Sequence, residues 1–278
     1  MYIYKEFVKL IIDYIVLVSI FIVDVIIDHN PFVVNRGFFP NDQTLMHPLK
    51  NETVNWNILL LLTATIPPII IIIVEFSLSI NRNSLKVQMT ERFSIPLYVF
   101  NIFKSVYLHW LVLVITFFIT DIVKFRVGRL RPYFLTVCDL EVSKLNSSSF
   151  VDDPSLCRGN ETTLSVARQS FPSGHSAMTM CAVVSVIIYI HKKLWTDCPS
   201  LRFFLQSFSL GLLSIVIYVA TSRLNDYWHH PLDVIAGVIL GFIVTVILYY
   251  SQTDCFNCGN NTESICNSKQ YVNESVIT

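Results

Sequence analysis

An all-α, polytopic membrane protein is the fold class this sequence predicts, with six spanning helices in one bundle. Three observations carry that expectation. Hydrophobic residues fill 53% of the 278 positions and charged residues only 14%, well below the roughly 25% charged content of soluble domains. Mean hydropathy is +0.55. Six runs, at 8–28, 56–80, 98–123, 174–194, 203–222 and 231–250, reach the ~20 apolar residues that a spanning helix requires.

The first run begins beside Lys5 and Lys9 and is long, with no small-residue cleavage site after it, so it reads as a retained anchor and not as a signal peptide. The six spans occupy residues 1–252 as one domain and leave little room for a separate soluble one. Residues 253–278 are polar and rich in Asn and Ser, and are expected to form a disordered cytoplasmic tail. There is no internal repeat. Lys and Arg together equal Asp and Glu at 20 each, and no basic block stands out, which argues against a nucleic-acid partner.

Six spans sort the connections onto two sides. One side holds both termini and the short loops after spans two and four, with Lys5, Lys9, Arg82, Lys86, Arg92, Lys192, Lys193 and Arg202. The positive-inside rule assigns that side to the cytoplasm. The opposite side holds the glycosylation sequons at Asn51, Asn146 and Asn160, which agrees. Sequons at Asn260 and Asn273 fall in the tail and are expected to stay unused.

Of seven cysteines, Cys138 and Cys157 share a loop on the oxidising side and are a candidate disulfide. Cys181 lies within a span and reads as core. Cys255, Cys258 and Cys266 follow the last span; "CFNC" alone is too little for zinc, and Cys255 is a palmitoylation candidate.

Three polar clusters converge on the non-cytoplasmic side. The first, "KFRVGRLRPYF" at 124–134, holds Lys124, Arg126, Arg129 and Arg131 against the positive-inside trend. Alone it would read as an interfacial anchor that snorkels to headgroups. The second, "SFPSGHSAM" at 170–178, leads Ser173, Gly174 and His175 into the fourth span, where free amides and the helix dipole favour an anion. Alone it would equally read as a capping serine with a bystander histidine. The third, "SRLNDYWHHPLD" at 222–233, joins the last two spans and carries Arg223, His229, His230 and Asp233. Pro231 suits a first helical turn, and His229 and Asp233, four apart, are expected to stack so that the carboxylate accepts from the imidazole. A metal bound by His229, His230 and Asp233 is disfavoured by the surrounding Lys and Arg. Together the clusters supply cationic clamps, neutral donors and two histidines, the inventory of metal-free phosphoryl transfer.

These residues match the three-part signature of the type 2 phosphatidic acid phosphatase superfamily, which the chain resembles. The matching parts are Lys124 with Arg131-Pro132, Pro172-Ser173-Gly174-His175, and Ser222-Arg223 with His229 and Asp233. The likeness is greatest to the animal lipid phosphate phosphatases, through "RGFFPNDQTL", "TDIVKFRVGRLRPYFLTVC" and "SRLNDYWHH". It covers roughly residues 8–250 and leaves the tail unexplained. Pro40 stands where that subgroup commonly has cysteine, and Pro172 where it commonly has tyrosine.

The resemblance implies an active site at the non-cytoplasmic membrane interface, acting on lipid phosphates held in the bilayer, with no cofactor and no metal. His229 would be the nucleophile, Asp233 its orienter and His175 the general acid, with Lys124, Arg131, Ser173, Gly174 and Arg223 on the phosphoryl oxygens. It implies the plasma membrane with an extracellular site, or an internal membrane with a lumenal one; homo-oligomer formation is left open. The competing readings are a phosphatase for an isoprenoid diphosphate or sugar phosphate, and a non-catalytic lipid-binding relative. Asp121 and Glu75 are expected to face the bundle, because a central lipid-facing Asp costs about 2.5–3.5 kcal/mol. Asp24 and Asp28 are expected to be solvated near an interface, and Asp226 and His230 to support the site.

Overall fold

The computed structural model describes residues 2–29, 32–81, 86–90, 93–140, 149–195 and 198–251. Helix α1 (Tyr2–His29) is followed by α2 (Trp56–Asn81), a two-stranded antiparallel hairpin of β1 (Lys86–Thr90) and β2 (Phe93–Pro96), and α3 (Leu97–Val127). Two short helices, α4 (Phe134–Cys138) and α5 (Glu161–Ala167), precede α6 (Gly174–Leu194) and α7 (Pro199–Asn225), and α8 spans Pro231–Ser251. Six of these helices are long and apolar enough to cross a membrane. The hairpin was not expected from an all-helical reading; 86–96 is too short and polar to span.

Among the six, α6 is the most buried and α1 the least. The site depends on how closely α8 approaches α6. Gly237 and Gly241, four apart, present one glycine face of α8. A Cβ at Gly237 would lie 2.4 Å from the Ser173 carbonyl oxygen, and one at Gly241 would lie 2.3 Å from that of Ala177. Small residues at this spacing let two backbones touch where lipid offers no hydrophobic drive. One turn before Gly237, the Asp233 carbonyl accepts from the Ser173 amide at 2.9 Å.

Two prolines inside α2 are absorbed by its neighbour. Pro67 and Pro68 have no N–H, so the carbonyls of Thr63 and Ala64 lose their helical donors. On α3, His109 Nε2 lies 2.9 Å from the Thr63 oxygen, and Trp110 Nε1 donates to the Ala64 oxygen at 3.2 Å. The freed carbonyls thereby fasten α2 to α3, as polar satisfaction in a bilayer requires.

Asp121 and Glu75 face the bundle as expected. Asp121 holds Lys124 at 3.0 Å, and Glu75 pairs with Lys193 and accepts from Tyr189 at 3.1 Å. Asp28 is exposed as expected, but Asp24 is not: it is buried on the α3 side of α1, with neither oxygen bonded.

The loops on the site side pack into a cap with its own core. Phe38, Leu45, Leu130, Tyr133, Phe134, Cys138, Val151 and Ala167 are buried together. A bridge between Phe38 and Val151 joins the first loop to the long one, and a disulfide joins Cys138 to Cys157.

Candidate active site

Helix α3 extends beyond the predicted 123 and keeps Lys124 on its last turn. It ends at Gly128, whose φ of +57° is left-handed. A Cβ there would meet the Val34 carbonyl oxygen at 2.2 Å, so glycine is required on both counts. Lys124 lies beside the start of α6, since a Cβ built on Gly174 would come 3.3 Å from its Nζ. Arg131 is 8% exposed, stacks over Trp228 with 4.8 Å to the ring centroid, and donates to the Gln169 carbonyl at 3.3 Å. Its Nε is the one buried side-chain nitrogen among the described residues without a partner.

The second cluster forms the start of α6. Ser173 caps that helix, its Oγ accepting from the Ser176 amide at 3.4 Å. Its own amide goes to the Asp233 carbonyl, which corrects the expectation that this amide is free for an anion. The amides of Gly174 and His175, at the first two helical positions, keep the N-terminal orientation that suits one.

His229 is 4% exposed, and its Nδ1 lies 2.7 Å from the Ser170 carbonyl. A carbonyl only accepts, so Nδ1 carries the proton and Nε2 holds the free lone pair. Burial, followed by the positive charge of Arg131, holds this imidazole well below its ordinary range, with His175 and Lys124 adding to the effect. It is therefore neutral at pH 7.

Asp233 does not contact His229 by hydrogen bond, contrary to the four-residue stacking. His229 precedes α8, in a turn where Tyr227 takes a φ of +60°, so helical spacing does not apply to it. Asp233 instead accepts from Arg129 at 2.7 Å, from Ser170 Oγ at 2.6 Å and from the His230 amide at 3.0 Å. The last bond is the return arm of a capping box, with His230 as N-cap. Asp233 thus holds Ser170, and the Ser170 carbonyl holds His229.

His175 is held in the opposite sense. Its Nε2 lies 3.0 Å from the Val54 carbonyl, which leaves Nδ1 free, and its ring packs on Trp56 with centroids 5.0 Å apart. Arg223, fully buried, reaches Ser222 Oγ (3.1 Å), Glu52 (3.3 Å) and Asp226 (3.2 Å), and its Nη1 comes within 3.4 Å of His175 Nε2. Asp226 also accepts from the Thr53 amide and hydroxyl, both at 2.8 Å.

The predicted set is therefore gathered at one end of the bundle. Arg223 touches His175, Lys124 reaches Gly174, Asp233 binds Ser173, and Arg131, Lys124 and His175 all bear on the charge of His229. Four supporting residues were missed: Arg129, Ser170, Glu52 and Thr53. Arg129 stood in the basic cluster without a role, and Glu52-Thr53 were visible only as the rest of the Asn51 sequon. His230 caps α8 and places Nε2 3.1 Å from the Leu130 carbonyl. Asn51 and Asn160 are exposed, whereas Asn146 and the tail lie outside the described residues.

The profile of the PAP2 superfamily matches residues 106–256. This stretch holds all three clusters. The chain belongs to the PAP2 superfamily. As a PAP2 protein it is 34% identical over 230 residues to phospholipid phosphatase 1 of Rattus norvegicus, covering 82% of this chain and 78% of that one. It is 30% identical over 259 residues to a putative phosphatidate phosphatase of Drosophila melanogaster, covering 86% and 67%. Phospholipid phosphatase 2 of Homo sapiens is 30% identical over 226 residues, covering 80% and 74%. No solved structure matches this PAP2 chain.

Proposed function

We propose that this integral membrane protein is a lipid phosphate phosphatase, working from the non-cytoplasmic face through a phosphohistidine on His229. The observation that carries the reading is a neutral, buried His229 with its Nδ1–H committed to the Ser170 carbonyl, set among Arg131, Lys124 and His175. Its Nε2 attacks phosphorus while the P–O bond to the alcohol breaks. His175 delivers a proton from Nδ1 to the departing alkoxide. His175 then takes a proton from water, whose oxygen attacks phosphorus, the P–N bond breaks, and phosphate leaves with His229 restored. Arg131 Nε, Lys124, Arg223 and the first amides of α6 answer the charge on the three equatorial oxygens.

Phosphatidate, lysophosphatidate, sphingosine 1-phosphate and ceramide 1-phosphate fit a site where tails stay in the bilayer and the phosphomonoester rises to the cap. The names of the similar phosphatases support that class. Cationic side chains do the work that a metal would do, so no cofactor enters the reaction. The basic-residue bias and the exposed Asn51 and Asn160 support a non-cytoplasmic site, extracellular in the plasma membrane or lumenal in an internal one.

Phosphate release from a panel of these lipids tests the reading, with purified protein in mixed micelles and excess chelator present. Activity should persist, vanadate should inhibit, and His229→Ala should abolish both turnover and acid-labile label. Strict dependence on added magnesium, or label trapped on the His229→Ala protein, would overturn it.

A further inference from the structure

The segment just before α2 touches the site more closely than any motif accounts for, and it lies outside the stretch matched by the family profile. Glu52 Oε1 is 3.3 Å from Arg223 Nη1 and 4.0 Å from His175 Nε2, while its Oε2 accepts from the Trp56 amide at 3.3 Å. The Arg223–His175 approach, at 3.4 Å, cannot be a good hydrogen bond when Nε2–H donates to Val54, because both nitrogens then carry protons. It is a close contact between a guanidinium and a ring that must become cationic each cycle. Glu52 is the third corner of that triangle.

We propose that Glu52 is a positioning residue for His175: its carboxylate offsets Arg223 and stabilises the imidazolium form that protonates the leaving group. The inference rests on the phosphatase reading. The charged groups bearing on His175 are Glu52 from the first loop, Arg223 from α7, Lys124 from α3 and Arg131 from the turn after it. Three are cationic and only Glu52 is anionic. Asp226 lies on the other terminal nitrogen of Arg223, at 3.2 Å, and keeps the guanidinium in place when Glu52 is neutral. Loss of the Glu52 charge therefore weakens the acid more than it weakens phosphate binding.

The test uses full-length Glu52→Gln, which keeps the shape and the acceptor for Trp56, and Glu52→Asp as the carboxylate control. On a lysophosphatidate-type alkyl ester, kcat of Glu52→Gln should fall about tenfold to a hundredfold, part of the 10²–10⁴ given by a general acid. The alkaline limb of its pH profile should move to lower pH, while KM changes less than threefold. On p-nitrophenyl phosphate, whose leaving group needs no proton, the rapid-quench burst should fall less than threefold. Glu52→Asp should recover part of the alkyl rate. Equal losses on both esters with a raised KM, or an unmoved pH profile, would show that Glu52 only braces Arg223. Should the Gln protein fail to fold, Glu52→Asp carries the test: an alkyl-selective loss supports the proposal, and an equal loss overturns it. Wild-type protein inert on both esters defeats the phosphatase reading itself, whereas active wild type with an indifferent Glu52→Gln defeats only this inference.

Discussion

Asp233→Asn separates two ways of holding His229, the proposed nucleophile. If Asp233 oriented His229 directly, amide replacement would present the wrong donor to the ring, and losses of ~10⁴ in kcat accompany that change in a serine-protease triad. The structure places Asp233 one step back, accepting from Arg129, Ser170 Oγ and the His230 amide. The Asn oxygen can serve two of these donors and its NH2 must face the third. One hydrogen bond involving a charged partner is lost, about 1.5–3 kcal/mol. Passed wholly to the transition state, that is roughly a tenfold to 150-fold loss of kcat. Ser170→Ala removes one of the same contacts and leaves the carbonyl that holds His229, so its loss should be smaller. The double variant should lose less than the product of the two, since both act on one network. The assay is phosphate release under saturating lipid, with phosphoenzyme trapped by rapid quench and thermal stability followed in detergent. A 10⁴-fold loss in Asp233→Asn at unchanged stability, with Ser170→Ala silent, would refute the indirect arrangement.

Other expected outcomes follow from packing, covalent linkage and charge. Gly237→Ala puts a methyl 2.4 Å from a backbone oxygen that cannot rotate away; overpacking of this kind costs about 1–3 kcal/mol, so the melting temperature in detergent should fall together with activity. Cys138→Ser or Cys157→Ser opens a loop of 19-residue separation, worth about 3 kcal/mol in the chain-entropy account, and thermal inactivation should quicken as it does for wild type under reductant. His229 is held neutral in the folded state and charges freely when unfolded, so the unfolded chain binds the extra proton as pH falls below ~6.5. Stability in detergent should decline below that pH, and less steeply in His229→Gln.

Much of the placement of the candidate site could be read in the sequence because its parts are short, contiguous and punctuated. Lys124, Ser173-Gly174-His175 and Arg223 each sit at a helix end marked by a charge, a cap or a proline, and span parity alone brings those ends to one face. The bundle was readable because a spanning helix is selected by composition over ~20 residues. What could not be read are contacts made through main-chain carbonyls, which every residue possesses and none advertises. Ser170 and Val54 hold the two histidines by such groups, and the same blindness hid the Thr63 and Ala64 carbonyls that fasten α2 to α3. Spacing even misled at Asp233, because four residues mean one helix face only when both ends of the interval are helical.

The two carbonyl contacts set different tautomers on the two histidines of the candidate site. Ser170 takes the proton of His229 Nδ1, whereas Val54 takes that of His175 Nε2, so the free nitrogens are Nε2 on one ring and Nδ1 on the other. A carbonyl cannot donate, and neither ring can exchange its tautomer without breaking a buried bond. In the proposed mechanism their surroundings also separate nucleophile from acid. His229 is bordered by Arg131 and Lys124, and among the described residues no carboxylate bonds its ring. His175 is bordered by the same cations and by Arg223, and Glu52 within 4.0 Å is the one carboxylate that the proposed acid role would call on. Both carbonyls come from the cap, on loops braced by Asp233 in one case and Asp226 in the other. The cap therefore fixes the tautomers of the two rings that the bundle's cations surround.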